Sequence, residues 1–319
     1  MSVETGDRPG KIDARPVRHP GRYVAIVVIA VIVAMMVSSV VTNTRWDWSF
    51  TYQIMKYNPV IDGLWRGTIV GTVGAMVIGV VLGILLAIMR LSDNPVLRGV
   101  ASVYVWFFRS IPRLVLLAMF GSGLAYLYPQ VSLGFPFAEQ LGHFIGLSSN
   151  ATTFGHINVA QASNGIVIGI IGLGLSEAAY MAEIARAGIQ SVDVGQREAA
   201  QALGMSSGKS MRRVVLPQAM RVIVPPTGNE TLAMVKDTSL LSAIPVIAEL
   251  FYQTSQIGSH SFKIMPGYMA AVLWYLVICS ILAVVQMFLE RKFGRGIGTQ
   301  RADGGLRARM LGLAGGGPR

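Results

Sequence analysis

Glu177, Tyr180, Asn229, Glu230, Lys236 and Asp237 are polar or ionisable residues set inside long apolar stretches of this chain. An ionised side chain in hydrocarbon costs several kcal/mol unless it is paired or wetted, so such residues mark a functional path by default. Glu177 lies 12 residues after Gly165, where an apolar run begins. At about 1.5 Å per residue that is about 18 Å along a helix, close to mid-bilayer. Its helical neighbours are Leu173, Gly174, Tyr180 and Met181, none of them a counter-charge. Two readings stay open: a carboxylate facing a wet path, or a protonated Glu hydrogen-bonded to a neighbouring helix. Glu183 and Arg186, spaced i, i+3, are expected to neutralise each other within one helix. Lys236 and Asp237 either line the path or cancel each other. His19, His143, His156 and His260 show no metal-ligand spacing, and Cys279 is the single cysteine, so neither metal nor disulfide chemistry finds support.

The elements that must carry these residues are membrane spans. Of 319 residues, 52% are hydrophobic and 13% charged, where a soluble domain has about 25% charged. That balance excludes a disordered chain and an ordinary soluble enzyme. Six apolar runs approach the roughly 20 residues a spanning helix needs: Val24–Val41, Leu64–Met89, Ile111–Tyr128, Gly165–Ile189, a fifth from about Val222, and Tyr268–Leu289. The first is too long for a signal-peptide core and no small-residue cleavage site follows it, so it reads as a retained anchor. Arg109-Ser110-Ile111-Pro112-Arg113 punctuates the third, and the interface is open to the segment before it. The fifth is weakly hydrophobic and interrupted at Pro225-Pro226, which predicts irregular backbone lining a wet cavity. Along the second run Gly67, Gly71, Ala75, Gly79, Gly83 and Ala87 recur at every fourth position. They form one smooth helical face for close packing within the subunit.

Six spans place both termini on one side. Lys and Arg number 5, 2, 5 and 7 in segments 1–23, 90–99, 186–213 and 291–319, against 2, 0 and 1 in segments 42–63, 129–164 and 241–267. Positive charge collects on the cytoplasmic side, so both termini are expected there. The net charge of +11 is thereby explained by topology and contact with anionic membrane lipid, with no nucleic-acid partner.

Between the fourth and fifth spans lies Glu198-Ala199-Ala200-Gln201-Ala202-Leu203-Gly204, then nine residues, then Val214-Val215-Leu216-Pro217. Arg197–Leu203 is Ala-rich and helix-forming, and Gly204 is a natural helix stop. The run Gly204–Ser210 imitates a phosphate loop, but three residues rather than four separate its glycines and no strand precedes it. The spacing resembles the EAA signature of ABC importer permeases. Phe107-Phe108-Arg109-Ser110-Ile111-Pro112, Ala179-Tyr180-Met181-Ala182-Glu183-Ile184, Gly188–Val192, Leu216–Ala219 and Lys236-Asp237-Thr238-Ser239-Leu240 are similar to stretches of the permeases for polar amino acids of the histidine and glutamine type.

That resemblance implies an all-α polytopic protein of the bacterial cytoplasmic membrane with the type I ABC importer transmembrane domain. The permease domain would occupy 60–290 with its coupling loop at about 190–217. Residues 24–41 would be an additional spanning helix, and 1–23 and 291–319 disordered basic tails. It implies a non-enzymatic transport subunit in a homo- or heterodimer of permeases, with an ATPase dimer that binds ATP and Mg, and an extracytoplasmic solute-binding protein. Glu198, Ala199, Ala200, Gly204, Val214, Leu216 and Pro217 would couple to the ATPase. Glu177, Tyr180, Asn229, Glu230, Lys236 and Asp237 are the path candidates read from the residues themselves. The alternatives are import of another small polar solute, such as an opine or an ectoine-like compound, or a membrane sensor or assembly subunit that does not transport.

Overall fold

The computed structural model describes residues 20–128, 130–134, 153–158, 165–244, 246 and 248–293. Most of the 129–164 loop and of the expected tails lies outside the described residues; of the tails, 20–23 and 291–293 are described and belong to helices. The chain divides into two compact units, Met1–Trp48 and Ser49–Arg319. The first holds helix α1, Pro20–Thr42, which is apolar all round and has no buried residue. A turn of 3-10 helix, Thr44–Trp46, follows, capped by Asn43.

The second unit begins with α2 (Trp48–Lys56) and the long α3 (Asn58–Arg90), which has a π-helical turn at Gly63–Ile69. Leu91–Asn94 turns the chain; Asn94 accepts hydrogen bonds from Val96 N and Leu97 N, and Pro95 opens α4 (Pro95–Ser110). This is a standard start, with a capping side chain and a proline where no amide is needed. Ile111 is extended because the residue before a proline is barred from helix. Helix α5 then runs Arg113–Ala118, through a π turn at Met119–Gly123, to Leu124–Leu127. The two axes differ by 100°. The expected third span, Ile111–Tyr128, is therefore corrected. Its helix starts at Arg113 and is too short alone, and it reaches spanning length only as a bent pair with α4. Strands β1 (Gln130–Gly134) and β2 (Thr153–Asn158) form an antiparallel ladder with Gln130 opposite Asn158.

Next come α6 (Ile166–Gln190), the short α7 (Val194–Ala202) and α8 (Ser207–Ser210), and a π turn Met211–Val215 that leads into α9 (Leu216–Asp237). After a 3-10 turn at Thr238–Ala243, α10 (Leu250–His260) and α11 (Ile264–Phe293) complete the unit. Among the described residues α1, α3, α6 and α11 are each long and apolar enough to cross a membrane.

The expected break in the fifth span is also corrected, because α9 is one helix with Pro225 and Pro226 inside it. Each proline lacks the amide that would bond the carbonyl four residues earlier, at Arg221 and Val222. Thr227 and Thr231 hydroxyls donate to the carbonyls of Ile223 and Thr227, back-bonds within the following turns that do not reach the two freed carbonyls.

The core is built on α3 against α6. Ala75 and Ala87 are fully buried, and Gly79 and Gly83 lie directly against Glu177 and Met181. The smooth face predicted for the second run is thus an intrasubunit packing surface. A Cβ added at Gly79 would come 2.5 Å from Glu177 Cγ. Overpacking of this kind costs about 1–3 kcal/mol, so Gly79→Val should lower the melting temperature of the detergent-solubilised protein by several degrees. An unchanged melt would show that the α3–α6 contact is looser than described.

Candidate functional site

Glu177 is completely buried on α6. Its partner comes from α5: Arg113 Nη2 donates to Glu177 Oε2 at 2.8 Å, while Arg113 Nη1 donates to Asp237, the last residue of α9. The Tyr180 ring lies one turn beyond Glu177, with its centroid 4.9 Å from the Arg113 guanidinium carbon and 5.5 Å from that of Arg109. Three helices therefore converge on one guanidinium held by two carboxylates and an aromatic face. Pro112 positions Arg113, since α5 can begin only after it. Asp237 lies at a helix C-terminus, where a negative charge is unfavourable, and the Arg113 pair offsets that. Glu177 Oε1 accepts no hydrogen bond among the described residues. Glu230, also on α9, lies within electrostatic reach of Glu177.

These contacts correct two expectations. Glu177 is ion-paired across helices, with a partner 64 residues earlier in the chain. Asp237 is neutralised by Arg113 rather than by exposed Lys236. Of the six path residues, Glu177, Tyr180 and Asp237 meet and Glu230 is near. Asn229 accepts instead from Gln286 Nε2 at 2.7 Å, tying α9 to α11. Glu183 does pair with Arg186 at 2.8 Å, but Arg90 from the end of α3 also binds it and Arg109 lies 3.6 Å away.

Glu249 is a second buried carboxyl, and nothing in its sequence surroundings singles it out. It accepts from Tyr275 Oη at 2.7 Å, Tyr252 N at 2.9 Å and Thr68 Oγ1 at 3.2 Å, joining α3, α10 and α11. Burial pushes its carboxyl above the ordinary value, and these hydrogen bonds oppose that rise.

At the other end of α6, Arg197 Nη2 donates to the Ile189 carbonyl at 2.6 Å, fastening α7 to the helix it follows. Asp193 caps α7 by accepting from Gly195 N at 2.8 Å. The C-terminus closes with Gly204 N to Gln201 O at 2.9 Å and Met205 N to Ala200 O at 3.1 Å. With Gly204 at φ +74° this is a complete Schellman motif. Glu198, Ala199 and Gly204 are exposed, Ala200 is buried, and Val194 and Leu203 project at 64% and 82% exposure. Val214 is half-buried, and Leu216 and Pro217 form the exposed first turn of α9. The predicted loop is therefore largely helical, rooted by a cluster of Ile189, Val192, Val215 and Ala219. The phosphate-loop imitation is built as a helix cap followed by a single helical turn.

A bent, membrane-spanning helical core with a capped cytoplasmic-type connector defines a class, and the sequence relationships agree. Residues 79–295 match the family described as binding-protein-dependent transport system inner membrane component, and the chain belongs to that family. It is 45% identical over 289 residues to the arginine transport system permease protein ArgU of Corynebacterium glutamicum, covering 91% of this chain and 85% of that protein. It is 34% identical over 256 residues to the probable amino-acid ABC transporter permease protein YckA of Bacillus subtilis, covering 80% and 98%. The crystal structure of an amino acid ABC transporter with histidines is 31% identical, with TM-score 0.58, covering 76% of this chain and 97% of that one. Membership makes the chain a multi-pass inner-membrane transport subunit, not an enzyme, that works with an ATPase and a solute-binding protein.

Proposed function

We propose that this chain is the permease subunit of an ATP-driven importer of amino acids with a cationic side chain. The observation that carries the substrate class is the cluster around Arg113. Of the two guanidiniums beside the Tyr180 ring, Arg109 lies toward Glu183, so Glu177, Asp237 and nearby Glu230 outnumber Arg113 alone, a balance suited to a further cation. The relationship to ArgU, whose name specifies arginine, supports the same class. Both termini face the cytoplasm on this reading, as the distribution of Lys and Arg requires.

The working unit is two permeases, identical or paired with a second kind, over two ATPase subunits that bind ATP and Mg. Glu198, Ala199, Ala200 and Gly204, with Val214, Leu216 and Pro217 behind them, seat α7 in the ATPase. The exposed Val194 and Leu203 serve as its apolar contacts. Coupling follows from connectivity. The segment 191–215 joins the cytoplasmic ends of α6 and α9, and those two helices carry Glu177 and Asp237. A displacement of α7, transmitted through Arg197, therefore shifts the two carboxylates that share Arg113.

The test is ATP-dependent uptake into proteoliposomes containing the chain, its ATPase and its binding protein. Labelled arginine, lysine, histidine, glutamine and glutamate would be offered together with cross-competition. Arginine and lysine should enter, and neutral amino acids should neither enter nor compete at tenfold excess. Uptake of glutamine in preference to arginine would overturn the cationic assignment while leaving the importer itself in place.

A further inference from the structure

The helix that ends at Asp237 carries a different chemistry at its other end. Lys209, Arg212 and Arg213 surround a concavity of about 480 Å³ beside Gly208. Among the described residues none of the three has an acidic or hydrogen-bonding partner. Three uncompensated cations around one hollow repel one another and concentrate anions there.

One turn further along, Leu216 begins a slot of about 390 Å³ with an almost wholly apolar lining. Val80 and Ile84 of α3, Met220 and Ile223 of α9, and Leu289 of α11 form its walls. From Leu216 to Thr231 the slot follows 15 residues of helix, about 22 Å, enough to cross a leaflet of about 15 Å. It also reaches Ile88, close to the end of α3, and Ile189, close to the end of α6 from which the connector 191–215 departs. The basic hollow, on α8 and the π turn, and the slot, which begins at the start of α9, thus follow one another along the chain, the hollow at the connector end and the slot running into the spans.

We propose that hollow and slot together bind one anionic phospholipid of the cytoplasmic leaflet, its phosphate among Lys209, Arg212 and Arg213 and an acyl chain along Met220 and Ile223. A soluble anion would account for the hollow alone and an apolar helix for the slot alone. An amphiphile accounts for both and for their order. Basic pockets beside transmembrane helices on the cytoplasmic side are the sites at which phosphate-bearing headgroups are held. The lipid would brace the junction between the connector and α9, so its occupancy bears on coupling whichever substrate is carried.

The experiment is native mass spectrometry of the purified permease–ATPase complex, titrated with phosphatidylglycerol or phosphatidylcholine. The wild type should retain one phosphatidylglycerol per permease chain and no phosphatidylcholine. Each cation near the surface is worth roughly a fivefold change in affinity, so removing all three by Lys209→Ser, Arg212→Ser and Arg213→Ser should weaken retention on the order of a hundredfold. Ile84→Trp, which fills the slot without touching a charge, should also reduce it. Equal retention by the triple variant overturns the proposal. Loss in the triple variant with full retention in Ile84→Trp overturns it in favour of a headgroup-only anion site. Loss of the ATPase in place of the lipid overturns it by assigning the cations to subunit docking.

Discussion

Arg113→Ala should unfold the permease more readily than any other single truncation of the site, by about 3–5 kcal/mol. That is the cost of leaving a buried carboxylate without its counter-charge. Glu177 has no exposed surface and Arg113 little, so water cannot replace the lost partner. The expected record is a melting temperature lowered by roughly ten degrees in detergent, at a scale of about 2–4 °C per kcal/mol for chains of this size, with arginine uptake lost as well. Removing both charges should cost far less. Arg113→Met with Glu177→Gln replaces the buried pair by groups of similar volume and leaves only Asp237, partly exposed to solvent, without its partner, and such exchanges are often close to neutral. A double-mutant cycle then yields a coupling energy of about 3 kcal/mol or more between positions 113 and 177, because the double variant loses less than the Arg113 variant alone. The double variant should recover most of the melting temperature and none of the preference for cationic substrates. If Arg113→Ala melts with the wild type, the ion pair is not buried in the assembled transporter and the cluster loses its claim to the path.

What the sequence made legible here, and what it concealed, follows from the range of each interaction. The α3–α6 contact could be anticipated because small residues at every fourth position are a local pattern with one geometric meaning. The cap of α7 at Gly204 could be anticipated for the same reason. The Arg113–Glu177 pair could not, since the partners are 64 residues apart and Arg113 had the appearance of mere punctuation after Pro112. Adjacency in sequence offers Lys236 as one partner for Asp237, and the convergence of α5 with α9 that supplies Arg113 instead is not visible in it. Pro225-Pro226 misled in the opposite direction. Two prolines forbid two hydrogen bonds, but they do not forbid the helix when the turns on either side keep theirs. Glu249 escaped notice because its three donors come from three separate elements.

The largest functional effect without unfolding is expected at Gly204, which touches neither the ion cluster nor any substrate. Its φ of +74° lies in the left-handed region, where a side chain costs about 1–2 kcal/mol and a β-branched one more. Open space surrounds it, so the penalty is conformational and not a clash. Helix α7 has nine residues, too few to be stable alone, and its end is held by the two hydrogen bonds that depend on this turn. Gly204→Val should therefore release the cap, let Leu203 leave its exposed position, and blunt the element that meets the ATPase. Uptake should fall at least tenfold while expression and ATP hydrolysis by the complex persist, which is uncoupling rather than unfolding. A graded series makes the mechanism specific: Gly204→Asn, which tolerates the left-handed region, should retain more uptake than Gly204→Ala, and Gly204→Val least. A bulk effect at the subunit contact would instead rank Asn below Ala. Normal uptake by the Val variant would remove the Schellman turn from the coupling path altogether.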